Sequence, residues 1–127
     1  MALIIDLKPG ERVIIGGAVV TADNQRTRLH IAGDVAILRE KDILRPDDAD
    51  SPCKKLYFAA QLMYLGGNPA ELLQTYFDLA RDIQNAAPST ALLILDINRN
   101  IIAGSYYRAL KQAKRLVQYE AELMSNA

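Results

Sequence analysis

The sequence predicts an α+β protein: a small antiparallel β-sheet or half-barrel over about residues 1–45, then a bundle of about four α-helices over about 51–124. Three observations carry this. Short β-branched runs separated by glycine turns fill the N-terminal part. The proline- and aspartate-rich stretch "LRPDDADSP" then breaks the pattern. Beyond it, capping residues, first-turn prolines and glycine stops recur at helical spacing.

In the N-terminal part, "ALIIDL" and "RVIIGGAVVTA" read as strands joined by the turn "KPGE". Gly16 and Gly17 make a two-residue hairpin turn, because glycine accepts the positive φ such turns need. "RTRLHIAG" alternates, which places Leu29 and Ile31 on one face and Arg28 and His30 on the other. "DVAILRE" is a further short strand. Residues 1–45 thus form a β-rich subdomain and residues 51–127 a helical one, with the acidic stretch as linker. Asp47, Asp48 and Asp50 lack the glycine and distal glutamate of a calcium loop. No metal site is expected.

Ser51 caps the first helix, with Pro52 at its first position and Gly66 at its end. Asn68, Pro69 and Glu71 open a second helix that runs to about Asn85. Ser89 or Thr90 opens a third, "ALLILDINRNIIA", whose all-round apolarity places it in the middle of the helical layer. Gly104 separates it from the last helix. There, Tyr106, Ala109, Leu110, Ala113, Leu116, Val117, Leu123 and Met124 form an apolar stripe. Arg108, Lys111 and Arg115 lie opposite, with Lys114 at the flank. Glu120 projects from the apolar stripe, so its carboxylate needs a partner, either a base in the same chain or one across an interface.

Charge and composition narrow the function classes. Lys plus Arg equals Asp plus Glu at 15 each, so no global field attracts a polyanion, and nucleic-acid affinity requires a local patch. His30 has no partner in triad or metal spacing. Cys53, the one cysteine, stands near a helix start, where a thiol pKa can fall, but no histidine lies nearby in sequence. "IIGGAVV" is neither a P-loop nor a dinucleotide fingerprint. An enzyme is not expected, nor a cofactor. With no apolar run of membrane-spanning length and no secretory leader, a cytoplasmic protein is expected.

Three roles fit the cationic face of the last helix. It is a solvated face that keeps the helix soluble. Or, with Tyr107 and Tyr119, it contacts phosphates and bases. Or it offers an arginine-tyrosine surface, with Glu120, to a partner protein. Helical spacing alone leaves all three open.

The segments "LKPGERVIIGGAV", "KKLYFAAQLMYL" and "GSYYRALKQAKRLVQYEAEL" together resemble the flagellum biosynthesis repressor family FlbT, in order and spacing from end to end. That resemblance implies a post-transcriptional regulator that acts on the 5′ untranslated region of flagellin mRNA and its translation or decay. It also implies a pathway shared with flagellin and the flagellin regulator FlaF. Residues 3–45 are separately similar to the carbon storage regulator family of RNA-binding β-rich dimers. Lys8 matches its second early basic position and Arg39 its late arginine, while Leu7 and Pro9 depart from its pattern.

Two functions follow. As an RNA-binding repressor, the chain uses Lys8, Arg12, Arg28 and Arg39 on the β part and Arg108, Lys111 and Arg115 on the last helix. As a protein-interaction module, it binds flagellin or FlaF through the helical part, with Tyr107, Tyr119 and Glu120 as contacts. A homo-oligomer is expected, since short sheets leave edge strands to be covered.

Overall fold

The structure, a computed structural model, describes residues 2–126. The fold is α+β, with five short strands followed by four helices. The chain forms two compact units that divide after Ile43. Each is built by its own local rules.

In the first unit, β1 (Ala2–Leu7) pairs antiparallel with β4 (Thr27–Ala32). The hairpin β2 (Arg12–Ile15) and β3 (Ala18–Thr21) is joined on the other edge of β2 by β5 (Ile37–Arg39). Ile15 opposes Ala18, leaving Gly16 and Gly17 as the two-residue turn, and Gly16 takes φ 61°, which a side chain would strain. The single expected sheet is therefore two sheets, one of two strands and one of three. Ile5 and Leu7 from one, and Val13 from the other, meet in a core that Ile15, Val20, Leu29, Ile31 and Ile37 extend. Alternation along β4 leaves Arg28 and His30 exposed, as the period-two pattern requires. Of "DVAILRE" only Ile37–Arg39 is strand.

The second unit begins with a tether. Buried Gln61 pairs its side-chain amide with the backbone of Leu44, accepting at 2.8 Å and donating at 2.9 Å. A single 3-10 turn at Pro46–Asp48 then leads into α1 (Pro52–Tyr64). α2 (Pro69–Ala86) is capped by Asn68, which accepts from the Ala70 N–H at 3.0 Å. α3 (Ala91–Ile102) follows a 3-10 turn at Pro88–Thr90, and α4 (Tyr106–Ser125) ends the chain. α1 packs on both α2 and α4, and α4 on both α1 and α3. No helix among the described residues is long and apolar enough to cross a membrane.

Three expectations change here. α3 lies at the edge of the helical layer and not in its middle: it packs mainly on α4, meets α2 through buried Tyr76, whose hydroxyl donates to Asn98 at 2.6 Å, and leaves its other face open. Ile94, Ile97 and Ile101 fill its inner face, while Leu92, Leu95 and Ile102 stand exposed on the outer one. Neither Ser89 nor Thr90 caps α3 through its side chain; the Thr90 hydroxyl donates back to the Ala87 carbonyl at 2.7 Å, closing the 3-10 turn instead. Finally, Leu123 and Met124 continue the apolar stripe of α4 but are exposed. α4 outruns its neighbours: Tyr119 is level with Ser89 just before α3, and Glu120 is level with Ser51 at the start of α1. Past that level the other described helices of this unit offer no surface to pack on.

Within the chain, Glu120 meets a helix end and not a base. One carboxylate oxygen accepts from the Ser51 hydroxyl, and the other accepts from the Cys53 backbone N–H at 3.1 Å. Ser51 in turn accepts from the Lys54 N–H at 3.2 Å, so residue and carboxylate cap α1 jointly. The first turn of α1 holds no acid of its own, and Glu120 supplies the negative charge that its N-terminus favours. We expect Glu120→Ala to destabilise the fold by about 1–3 kcal/mol, read as a lower urea midpoint at unchanged m-value, because it strands two polar groups.

Burial, with the Glu120 carboxylate beside it, pushes the Cys53 thiol up to about 12. The helix start therefore does not yield a thiolate. A thiol held protonated by the fold adds stability that is complete below the ordinary value of 9.0 and is lost as pH rises towards 12. Urea titrations on either side of that ordinary value should show this loss in the wild type and a smaller one in Cys53→Ala, where Tyr76, its hydroxyl likewise pushed up by burial, still contributes.

Candidate nucleic-acid interface

The αα turn between α3 and α4 positions the site. Gly104 takes φ 75°, and the Ser105 N–H donates to the Asn100 carbonyl at 2.8 Å, so α4 returns beside the last turns of α3. Helical spacing then puts Arg108, Lys111 and Arg115 on one exposed row. Together with Asn100, Tyr107 and Gln112 they line an open trough of about 500 Å3. The Asn100 amide donates to Gln112 Oε1 at 2.7 Å, which fixes a pair of amide groups in the trough. Lys111 Nζ lies 5.3 Å from the centroid of the Tyr107 ring, and the Tyr64 ring lies 5.3 Å from it at 46°. Tyr107 is thus held in place yet remains exposed.

Among the described residues, no carboxylate lies within ion-pairing distance of Arg108, Lys111 or Arg115. The arginines of the first unit are different. Arg12 pairs with Glu40 at 3.0 Å, and Arg28 pairs with Asp6 at 2.9 Å. The hydrogen-bonded Arg28 guanidinium holds the Asp6 carboxyl below the usual carboxylate range. Arg39 donates to the Asp6 backbone carbonyl at 3.0 Å. Arg28 and Arg39 therefore converge on Asp6, while Arg12 points from the face of its sheet opposite to the one Arg39 occupies. Lys8 stands exposed on the first turn, where its backbone N–H donates to Glu11 at 2.9 Å.

Tyr107 alone of the three aromatic and acidic candidates fronts the trough. Tyr119 donates its hydroxyl to Ser89 at 2.7 Å, and Glu120 is engaged at α1. Asn100 and Gln112 were not legible as site residues. Gln112 sits four residues after Arg108, hence beside it, but only the packing of α3 on α4 brings Asn100 there. No group of His, Cys, Asp and Glu among the described residues is arranged to hold a metal ion.

The helix itself argues that this row has a task. Arg108 occupies the first turn of α4, which carries no acid, and Ser105 makes no side-chain cap there. A cation at the positive end of a helix dipole is unfavourable. Solubility would be served as well by a glutamate, and stability better.

Fold and site together define a small α+β protein that carries an uncompensated cationic trough on its last helix. The chain belongs to the FlbT family: the family described as flagellar protein FlbT matches residues 3–124. A probable flagellum biosynthesis repressor protein FlbT 1 of Bradyrhizobium diazoefficiens is 51% identical over 124 residues, covering 97% of this chain and 85% of that protein. A probable flagellum biosynthesis repressor FlbT of Rhodopseudomonas palustris is 38% identical over 98% of this chain and 99% of its own. The flagellum biosynthesis repressor FlbT of Caulobacter vibrioides is 32% identical over 99% and 92%. No solved structure matches the chain.

If Arg108 works against its helix, Arg108→Glu should hold the stability of the fold or raise it by about 0.3–1 kcal/mol. Thermal and urea unfolding of the two proteins at low ionic strength measures this directly.

Proposed function

We propose that this protein is a repressor of flagellin synthesis that binds the 5′ untranslated region of flagellin mRNA through the trough between α3 and α4. The observation that carries the reading is the row Arg108, Lys111 and Arg115, uncompensated by any described carboxylate, in a family whose relatives are named as flagellum biosynthesis repressors. The three cations take phosphates of an unpaired leader strand. Tyr107 offers an aromatic surface to a base, and the Asn100 and Gln112 amides offer donors and acceptors to base edges. The first turn of α4 adds its own unbonded N–H groups to the attraction for an anion near Arg108. Phosphate contacts fix position, and the aromatic and amide groups supply what sequence preference there is.

Repression follows without a catalytic step or cofactor: the bound protein occludes ribosome entry or exposes the message to nucleases. It acts in the cytoplasm, where that message is translated. The β-unit arginines Arg12, Arg28 and Arg39 play the lesser part, since a phosphate must compete there with partners the fold already supplies.

The leader RNA, titrated with purified protein over a series of salt concentrations, tests this. Each lost single-strand phosphate contact lowers the salt slope by about 0.7, so Arg108→Ala with Arg115→Ala should flatten it by about 1.4. Arg12→Ala with Arg28→Ala should flatten it less. Leader affinity independent of salt, or unmoved by the α4 substitutions, would sink the reading. Retention of flagellin protein by both wild type and double variant, with no leader bound, would put protein docking in its place.

A further inference from the structure

The outer face of α3 is an apolar feature that neither the fold nor the trough explains. Leu92 is 78% exposed and Ile102 75%, with Leu95 between them at 44%. Core-forming residues of this size at such exposure, on one helix face, mark a surface that is covered in use. The identity of what covers it follows from the order of residues along the face. Leu92, Leu95, Arg99 and Ile102 are spaced by three, four and three, which is the seam of a helix that pairs with another helix. Asp96 lies beside the seam, and its carboxylate reaches the Arg99 guanidinium of its own helix only at 3.9 Å, with both side chains more than half exposed.

That arrangement is complementary to its own reverse. Take a second α3 laid antiparallel, with a two-fold axis beside Ile97. Leu92 then faces Ile102 of the second copy, and Ile102 faces its Leu92. Leu95 faces the aliphatic stem of Arg99, whose head group reaches Asp96 across the axis, and the same pair forms again in the other direction. Every apolar residue of the seam meets an apolar surface, and both charges meet an opposite one. A parallel pairing would instead set Arg99 against Arg99.

We propose that the outer face of α3 is a self-association surface, on which a second copy of the chain lays its own α3 antiparallel across a two-fold axis. An isologous contact of this kind closes on itself and gives a dimer and not a filament. The helix that carries the seam is 12 residues, about 18 Å long, well short of a standard stable interface. The association is accordingly reversible and depends on concentration. The contact also differs from edge-strand pairing of the first unit, which would leave α3 exposed.

Sedimentation equilibrium of the full chain, from about micromolar to about millimolar, reads the outcome. The wild type should show a reversible monomer–dimer equilibrium. Leu92→Glu with Ile102→Glu should remain monomeric throughout, with circular dichroism and thermal midpoint unchanged, since both side chains already face solvent. Asp96→Arg alone and Arg99→Asp alone should each weaken self-association at least about tenfold by setting like charges together. An equimolar mixture of those two variants should recover it as a heterodimer. A wild type that stays monomeric throughout overturns the proposal. So does a dimer indifferent to Leu92 and Ile102, which would place the contact at a strand edge, and so does a mixture that fails to recover. None of these readings uses RNA, so the surface stands or falls apart from the function proposed for the trough.

Discussion

The carboxylate of Glu120 at the start of α1 sets the register of the helical unit. It comes from near the end of α4, 69 residues away in sequence from Ser51, and it ends its reach at the one place in α1 where a negative charge is both hydrogen-bonded and favoured by the helix dipole. With that level fixed, the buried faces of the two helices meet in step: Leu56 and Ala60 on α1, Ala109, Ala113 and Leu116 on α4. The same level brings Tyr119 to Ser89 and so sets where α3 begins beside α4. The opposite ends of α3 and α4 then lie together, and Asn100 comes within hydrogen-bonding distance of Gln112. The cationic trough is thus placed by the turn at Gly104, and the cap about three turns along the same helix holds the other end of α4.

Charge is used in two ways in this molecule, and the difference is local. In the β unit, cross-strand neighbours are obligatory, so Asp6 opposite Arg28 forms a pair by register alone. On α4 the acids that would compensate Arg108, Lys111 and Arg115 at three- or four-residue spacing are absent from the exposed row. The chain is neutral, but its neutrality is unevenly distributed. A polyanion sensing the field within a Debye length meets a cationic row on α4 and largely cancelled charge on the sheets.

Much of the fold was legible from residue type and spacing. The Gly16–Gly17 hairpin, the alternation along β4, and the capping of α1 by Ser51 and of α2 by Asn68 all rest on interactions between residues a few positions apart. The row Arg108, Lys111 and Arg115 was legible for the same reason, because one helix face is a matter of period. The position of α3 was not. Its sequence is apolar on every side, and apolarity fits equally a helix buried in the middle of a layer and one at the edge whose outer face another chain would cover.

The sequence by itself determined the order and type of the elements, the outward placement of the cations on α4 and membership of the FlbT family, all of them encoded in local pattern or in whole-chain similarity. Tertiary structure decided which charges are already used and which are free. It gave Glu120 a helix end as its partner, buried Cys53 as a protonated thiol, tied Arg12, Arg28 and Arg39 into the β unit, and brought Asn100 to the trough. Each of these depends on groups brought together from distant positions: 67 residues separate Cys53 from Glu120, and 28 separate Arg12 from Glu40. A spacing of that kind has no period to read. Only packing reveals which partner a side chain meets, and so which residues are left for a ligand.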